Sequence, residues 1–160
     1  MNDSMATGND SLILIRDAVP DDINGLASLL KDLFAIERDF DFDLERHKKG
    51  LAMLLDRSQE ACAIVAEDIH TQKIVGMCTA QRLVSTAEGG FAAMVEDVVV
   101  RKFFRRQGVG RRLLDELLKW AETNRVVRLQ LLYDISNTPA LSFYQSLGWR
   151  FTSLSCLRRN

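Results

Sequence analysis

A chain of 160 residues, 47% hydrophobic and 27% charged, has the size and polarity of one soluble globular domain with a real core. Its formal net charge of −1 and pI near 6.1 supply no basic field, which argues against nucleic acid or an anionic membrane surface as partner. Three cysteines without Cys-x-x-Cys spacing and two histidines argue against a disulfide frame and against any metal site, and point to reduced thiols in a cytoplasmic protein.

Residues 1–10 are polar and without an apolar stretch, neither signal peptide nor membrane span, and read as a disordered tail before a domain over residues 11–160. Leu12 to Arg16 is a β-rich run, and Pro20, Asp21 and Asp22 suit the entry to a helix whose apolar positions Leu26, Leu29, Leu30 and Leu33 share one face. Acid and phenylalanine alternate from Glu37 to Asp43. Aspartate disfavours strands, so this stretch reads as a loop into a second helix over Leu44 to Asp56. Ala61 to Glu67 and Lys73 to Val84 form a hairpin, and Phe91 to Val100 adds a third antiparallel strand. A helix from Gly108 to Asn124 follows, with Leu113, Leu114, Leu117, Leu118 and Ala121 on one face. The strand after it, Arg125 to Tyr133, must run parallel to its predecessor, because a helix connects them. A short helix from Pro139 to Leu147 stops at Gly148, and a last strand is expected over Trp149 to Leu157.

The turn Arg105-Arg106-Gln107-Gly108-Val109-Gly110 is the most informative stretch. Two glycines at a helix start let backbone approach a bulky anion, and the first-turn N–H groups, the helix dipole and the neighbouring arginines all favour phosphate or pyrophosphate. A dinucleotide fingerprint would need glycine where Leu113 stands, and a P-loop would need Gly-Lys-Ser/Thr, which is absent.

Arg-x-x-Gly-x-Gly between strand and helix resembles the acetyl-coenzyme A pyrophosphate loop of the GNAT N-acetyltransferase superfamily. About thirty positions on, Asn137-Thr-Pro-Ala140 through Phe143-Tyr144 to Gly148-Trp149 resembles the second recurring segment of that family, in the expected order. The resemblance extends from Ser11 to Cys156. It implies a single-domain α/β (mixed α+β) GNAT fold: a central mixed, mostly antiparallel sheet in the order β-α-α-β-β-β-α-β-α-β, flanked by about four helices. The sheet would carry a V-shaped splay between its two parallel central strands.

The resemblance further implies acetyl-CoA as cosubstrate, no metal, and acetyl transfer to a primary amine by direct attack in a ternary complex. The cofactor would be held by the backbone of Val98, Val99 and Val100, by the turn Arg105, Arg106, Gln107, Gly108, Val109, Gly110 and Arg111, and by Asn137. For Asn137 the alternative is a turn residue before a helix. Tyr144 would protonate the departing thiolate; the alternative for it is a core aromatic. Alternation along a strand places Glu96 and Asp97 on opposite faces, so at most one looks into a given cleft. Glu96 is the candidate base, because Glu-Asp-hydrophobic ahead of the loop resembles the polyamine and diamine branch; its alternative is a solvated carboxylate. Asp39 and Asp41, with Glu96, are candidates for attracting a cationic acceptor, a small amine or alternatively a protein N-terminus or lysine. An inactive CoA-binding regulatory module is the rival class. Dimers are common among relatives, which leaves a homodimer open.

Overall fold

The computed structural model describes residues 12–37 and 40–159, so the expected tail over residues 1–10 and the candidate Asp39 lie outside the described residues. Strand β1 (Ile13–Asp17) leads through a turn of 3-10 helix (Pro20–Asp22) into α1 (Ile23–Phe34), and α2 (Leu44–Leu55) follows. Asp43 caps α2, its side chain accepting from the Arg46 N–H at 2.9 Å. The meander β2 (Ala61–Asp68), β3 (Lys73–Ser85) and β4 (Gly90–Val100) comes next, then α3 (Val109–Thr123), β5 (Val126–Leu131) and α4 (Thr138–Ser146).

The five strands lie in the order β1-β2-β3-β4-β5, antiparallel except for the parallel pair β4–β5. β2 and the stretch of β3 from Ile74 to Ala80 are buried and read as largely apolar runs because helices cover both faces of the sheet there, while Gln81 to Val84 emerge toward solvent. On one face Leu113, Leu114 and Leu117 of α3 pack on Ile64, Cys78 and Val95, with Phe143 and Tyr144 of α4 beside them. On the other, Leu26, Leu29 and Leu30 of α1 and Leu51 of α2 cover Val65, Met77 and Val99. Each such leucine contributes about 1.5–3 kcal/mol by leaving water.

Two features of β4 shape the site. Its pairing with β5 ends at Val95↔Leu131, while β4 runs on to Val100, so the parallel strands part and leave backbone groups of β4 unpaired on that side. The register with β3 also slips between Met77 and Thr79, opposite Asp97, whose φ is +52°. This is a β-bulge, carried by a residue type that tolerates the left-handed region.

The expected final strand over Trp149 to Leu157 is not formed. Trp149 donates its N–H back to the Tyr144 carbonyl at 3.1 Å, and the N–H of Leu154 turns to the Thr152 hydroxyl at 3.3 Å. Phe151, Leu154 and Leu157 are all exposed. A strand is expected here from the sequence, but a strand needs a ladder partner, and local bonds take its place.

Candidate active site

Helix α3 begins where the sequence places its anion turn. Gly108 is the N-cap residue at φ +77°, a conformation that costs a side chain about 1–2 kcal/mol, and nothing lies within 4 Å of where its Cβ would stand. No side chain caps the helix, so the first-turn N–H groups face an open, positively polarised space. Arg105, Arg106, Gln107 and Arg111 are exposed around it. Arg105 is steadied by donating Nε–H to the Val100 carbonyl at 2.7 Å, and the Gln107 amide donates to the Phe103 carbonyl at 2.7 Å. The basic cluster is smaller than its sequence suggests. Arg101 reaches Asp32 and Ser28, both at 2.9 Å, and Arg112 donates to the Ile13 carbonyl at 2.8 Å, so both serve the fold.

Val109 and Gly110 divide their work differently from the expectation. The Val109 side chain is buried in the core, and only its backbone faces the turn. A Cβ on Gly110 would stand 3.1 Å from Cζ of Phe143, so this glycine lets α4 pack closely against the start of α3.

Past the point where β4 and β5 part, a cleft opens. It is lined by Leu33 and Glu37 from the α1 side, Val95 to Val98 of β4, Leu131 to Asp134 after β5, and Asn137, Ala140 and Tyr144 of α4. Asn137 is the N-cap of α4, its Oδ1 accepting from the Ala140 N–H at 3.1 Å. The turn-residue alternative therefore holds for its oxygen, while the residue also forms part of the wall. Tyr144 packs between Phe143 and Trp149, with ring centroids at 5.4 and 6.0 Å. Burial, reinforced by Cys78 and Glu37, pushes its phenol up to about 12, so the hydroxyl carries its proton at neutral pH.

The expectation that Glu96 and Asp97 face opposite sides is overturned by the bulge. Val95 packs on the α3 side, and so do Val98 and Val100, while Val99 packs on the α1 side. One extra residue is thus taken up between Val95 and Val98, and both carboxylates belong to the α1 side and line the same cleft. Glu96 is exposed and accepts from the Gln81 amide at 3.3 Å. Asp97 is half-buried, and its Oδ2 accepts from the buried Thr79 hydroxyl at 3.0 Å. Desolvation pushes the Asp97 carboxyl up to about 6, opposed by the Thr79 hydrogen bond, aided by the Glu96 charge and opposed by His47.

Asp41 is exposed and does not line the cleft. It sits between Phe40 and Phe42, which contact Phe34 and His47 at 5.6 and 5.0 Å. The acid that lines the wall from this region is Glu37. Asp134 was not found among site candidates from sequence, Asp97 was weighed there only as the neighbour to which Glu96 was preferred, and Glu37 only as the start of the acidic stretch to Asp43; an aspartate within a β-branched run, a residue type that disfavours strands, is the signal that marked the bulge.

A model of the acetyltransferase (GNAT) family matches residues 26–149. The chain belongs to the GNAT family. The ribosomal protein bS18 alanine N-acetyltransferase of Salmonella typhimurium is 38% identical over 68 residues, which are 42% of this chain and 44% of that relative. The matched stretch thus spans less than half of the relative's length. Among solved structures, one described as a possible acetyltransferase from Clostridium difficile 630 superposes with a TM-score of 0.80 at 22% identity, covering 93% of this chain and 97% of that one. A predicted acetyltransferase from Clostridium acetobutylicum, solved with acetyl-CoA, gives a TM-score of 0.75 at 17% identity over 93% and 96%. The mixed five-stranded sheet with four helices is therefore the GNAT fold. Among the described residues no group of His, Cys, Asp and Glu could hold a metal, and no helix is long and apolar enough to cross a membrane.

Proposed function

We propose that this protein is an acetyl-CoA-dependent N-acetyltransferase that acetylates a primary amine, bound as a small cationic molecule. One observation carries the reading. The cleft at the strand split has a protonated tyrosine on one wall and the neighbouring carboxylates of Glu96 and Asp97 on β4, with Glu37 and Asp134 in the same lining. Such a field attracts an ammonium and repels an anionic acceptor. The bS18 relative, which acts on a protein alanine, supports a protein N-terminus as second acceptor.

The residues present fit acetyl-CoA. The uncapped start of α3, open at Gly108 and flanked by Arg105, Arg106 and Arg111, suits a pyrophosphate. The stretch of β4 at Val98, Val99 and Val100, no longer paired with β5, offers amide groups to an extended chain bearing amides, as an added strand would, except for the Val100 carbonyl, which Arg105 already holds; Asn137 borders that path. When bound, the cosubstrate supplies an activated thioester carbonyl. A backbone N–H of the parted strand would polarise it.

The acceptor arrives as an ammonium with a pKa near 10.4 and must lose a proton before it attacks. A β4 carboxylate removes it; Glu96 is the choice from sequence. As nitrogen bonds to the carbonyl carbon, the C–S bond breaks and the thiolate takes the Tyr144 hydroxyl proton, which the second N–H proton then replaces. A phenol near 12 is a weak acid toward an ordinary thiolate near 8.5, but a thiolate formed in the same desolvated cleft is itself made more basic.

The test is thiol release from acetyl-CoA with a panel of diamines, polyamines and a peptide bearing N-terminal alanine, beside calorimetric binding of acetyl-CoA. Tyr144→Phe is expected to lower kcat by about 10²-fold with acetyl-CoA affinity unchanged. Unchanged turnover would remove Tyr144 from the role. Cofactor binding without acetylation of any amine would favour a regulatory coenzyme A-binding module instead. The buried thiols of Cys62 and Cys78 accord with a reducing, cytoplasmic setting.

A further inference from the structure

We infer that Asp97, rather than Glu96, accepts the proton from the acceptor's ammonium, and that Thr79 positions and tunes it; the inference rests on the acetyltransferase reading above. The bulge is the starting point. A regular strand would turn Asp97 toward α3 and the apolar core. One extra residue, held at φ +52°, turns it instead to the α1 side of the cleft. The conformation costs about 1 kcal/mol or more, and the side chain it positions is held by the Thr79 hydroxyl at 3.0 Å.

The two β4 carboxylates have different surroundings. Glu96 lies exposed, its carboxylate accepting from the Gln81 amide at 3.3 Å, at the solvent side of the cleft. Asp97 lies deeper, with the Thr79 hydroxyl donating to one oxygen, Oδ2. The groups around it are Glu96 on its own strand, Thr79 and the Cys78 thiol of β3 and His47 of α2, with Glu37, Tyr144 and Asp134 lining the same cleft. Its desolvation places its titration near the range a base at neutral pH requires, whereas an ordinary carboxylate falls short by about two units. In the step, Asp97 takes one proton from R–NH3⁺ to give R–NH2, whose lone pair attacks the thioester. The proton then passes to solvent past Glu96, which serves to hold the cation.

Substitution separates the roles by pH profile. Asp97→Asn suits the left-handed backbone, since asparagine tolerates it, and is expected to lower kcat/KM for the best amine of the panel by about 10²–10⁴-fold and to erase the acidic limb. Thr79→Val deletes a hydrogen bond to the charged form, so the limb moves to higher pH, by about one unit. Glu96→Gln removes a neighbouring negative charge, so the limb moves slightly to lower pH while KM rises. Carboxyl NMR titration of Asp97 without any acceptor should follow the same order, and thermal melts and acetyl-CoA binding report whether each variant folds. An acidic limb that survives Asp97→Asn, or stays unmoved in Thr79→Val, overturns the assignment while leaving the acetyltransferase reading intact. Failure of every amine to be acetylated overturns both.

Discussion

Arg16 and Asp22 show how much one charged contact contributes to this fold. The guanidinium grips both carboxylate oxygens at 2.7 and 2.9 Å and also reaches Glu67 at 2.8 Å, and Asp22 accepts the Val19 N–H as well. Asp22 is buried at the junction of β1 and α1, and Arg16, foremost through its hydrogen bonds, holds its carboxyl below the usual carboxylate range. A depressed pKa stabilises the fold above the unfolded value near 3.9, and that contribution is lost as pH falls through the folded value. Asp22→Asn is therefore expected to cost about 2 kcal/mol at pH 7, lowering Tm by about 4–8 °C. The gap to wild type should shrink below pH 4. Melting curves at pH 7 and pH 3 check this, and an equal gap at both would mean that packing, not charge, makes the contribution.

At the scale of elements, the α3–α4 contact links the anion turn to the tyrosine. Phe143 sits against Gly110 at the start of α3, and Tyr144 is the next residue along α4. Gly110→Ala would gain up to about 1 kcal/mol of helix propensity but force the Phe143 ring outward, and overpacking costs about 1–3 kcal/mol. A net loss of about 1 kcal/mol is expected in urea unfolding, with turnover falling further because Tyr144 moves with α4. Adding Phe143→Leu should recover the stability. A double variant no better than Gly110→Ala alone would show that the ring is not what the new methyl meets.

For the whole molecule, thiol access reports the packing of the sheet. Cys62 and Cys78 lie in the core beneath α3, where burial pushes the Cys62 thiol up to about 12 and Cys78 higher than an ordinary thiol, while Cys156 is exposed. A thiol reagent is expected to label Cys156 at once in native protein and Cys62 and Cys78 only on unfolding. Fast native labelling at Cys62, read by mass spectrometry, would mean that α3 opens from the sheet.

The positions of the helices, the meander and the turn at Gly108 were legible in the chain because each follows a local rule: apolar spacing of about 3.6 or 2, proline and aspartate at a helix entry, glycine at a turn. The family motifs at Arg105 to Gly110 and Asn137 to Trp149 were legible for the same reason, since a backbone cradle and a helix start need few neighbours. Three things were decided only by tertiary structure. Trp149 to Leu157 was expected as a strand and forms none, because a ladder is a property of two segments. Gly110 answers to Phe143, thirty-three residues away, as much as to any anion. Glu96 and Asp97 share one cleft because a slip in pairing with β3 cancels the alternation that separates neighbours on a regular strand, and register belongs to the pair of strands, not to either sequence alone.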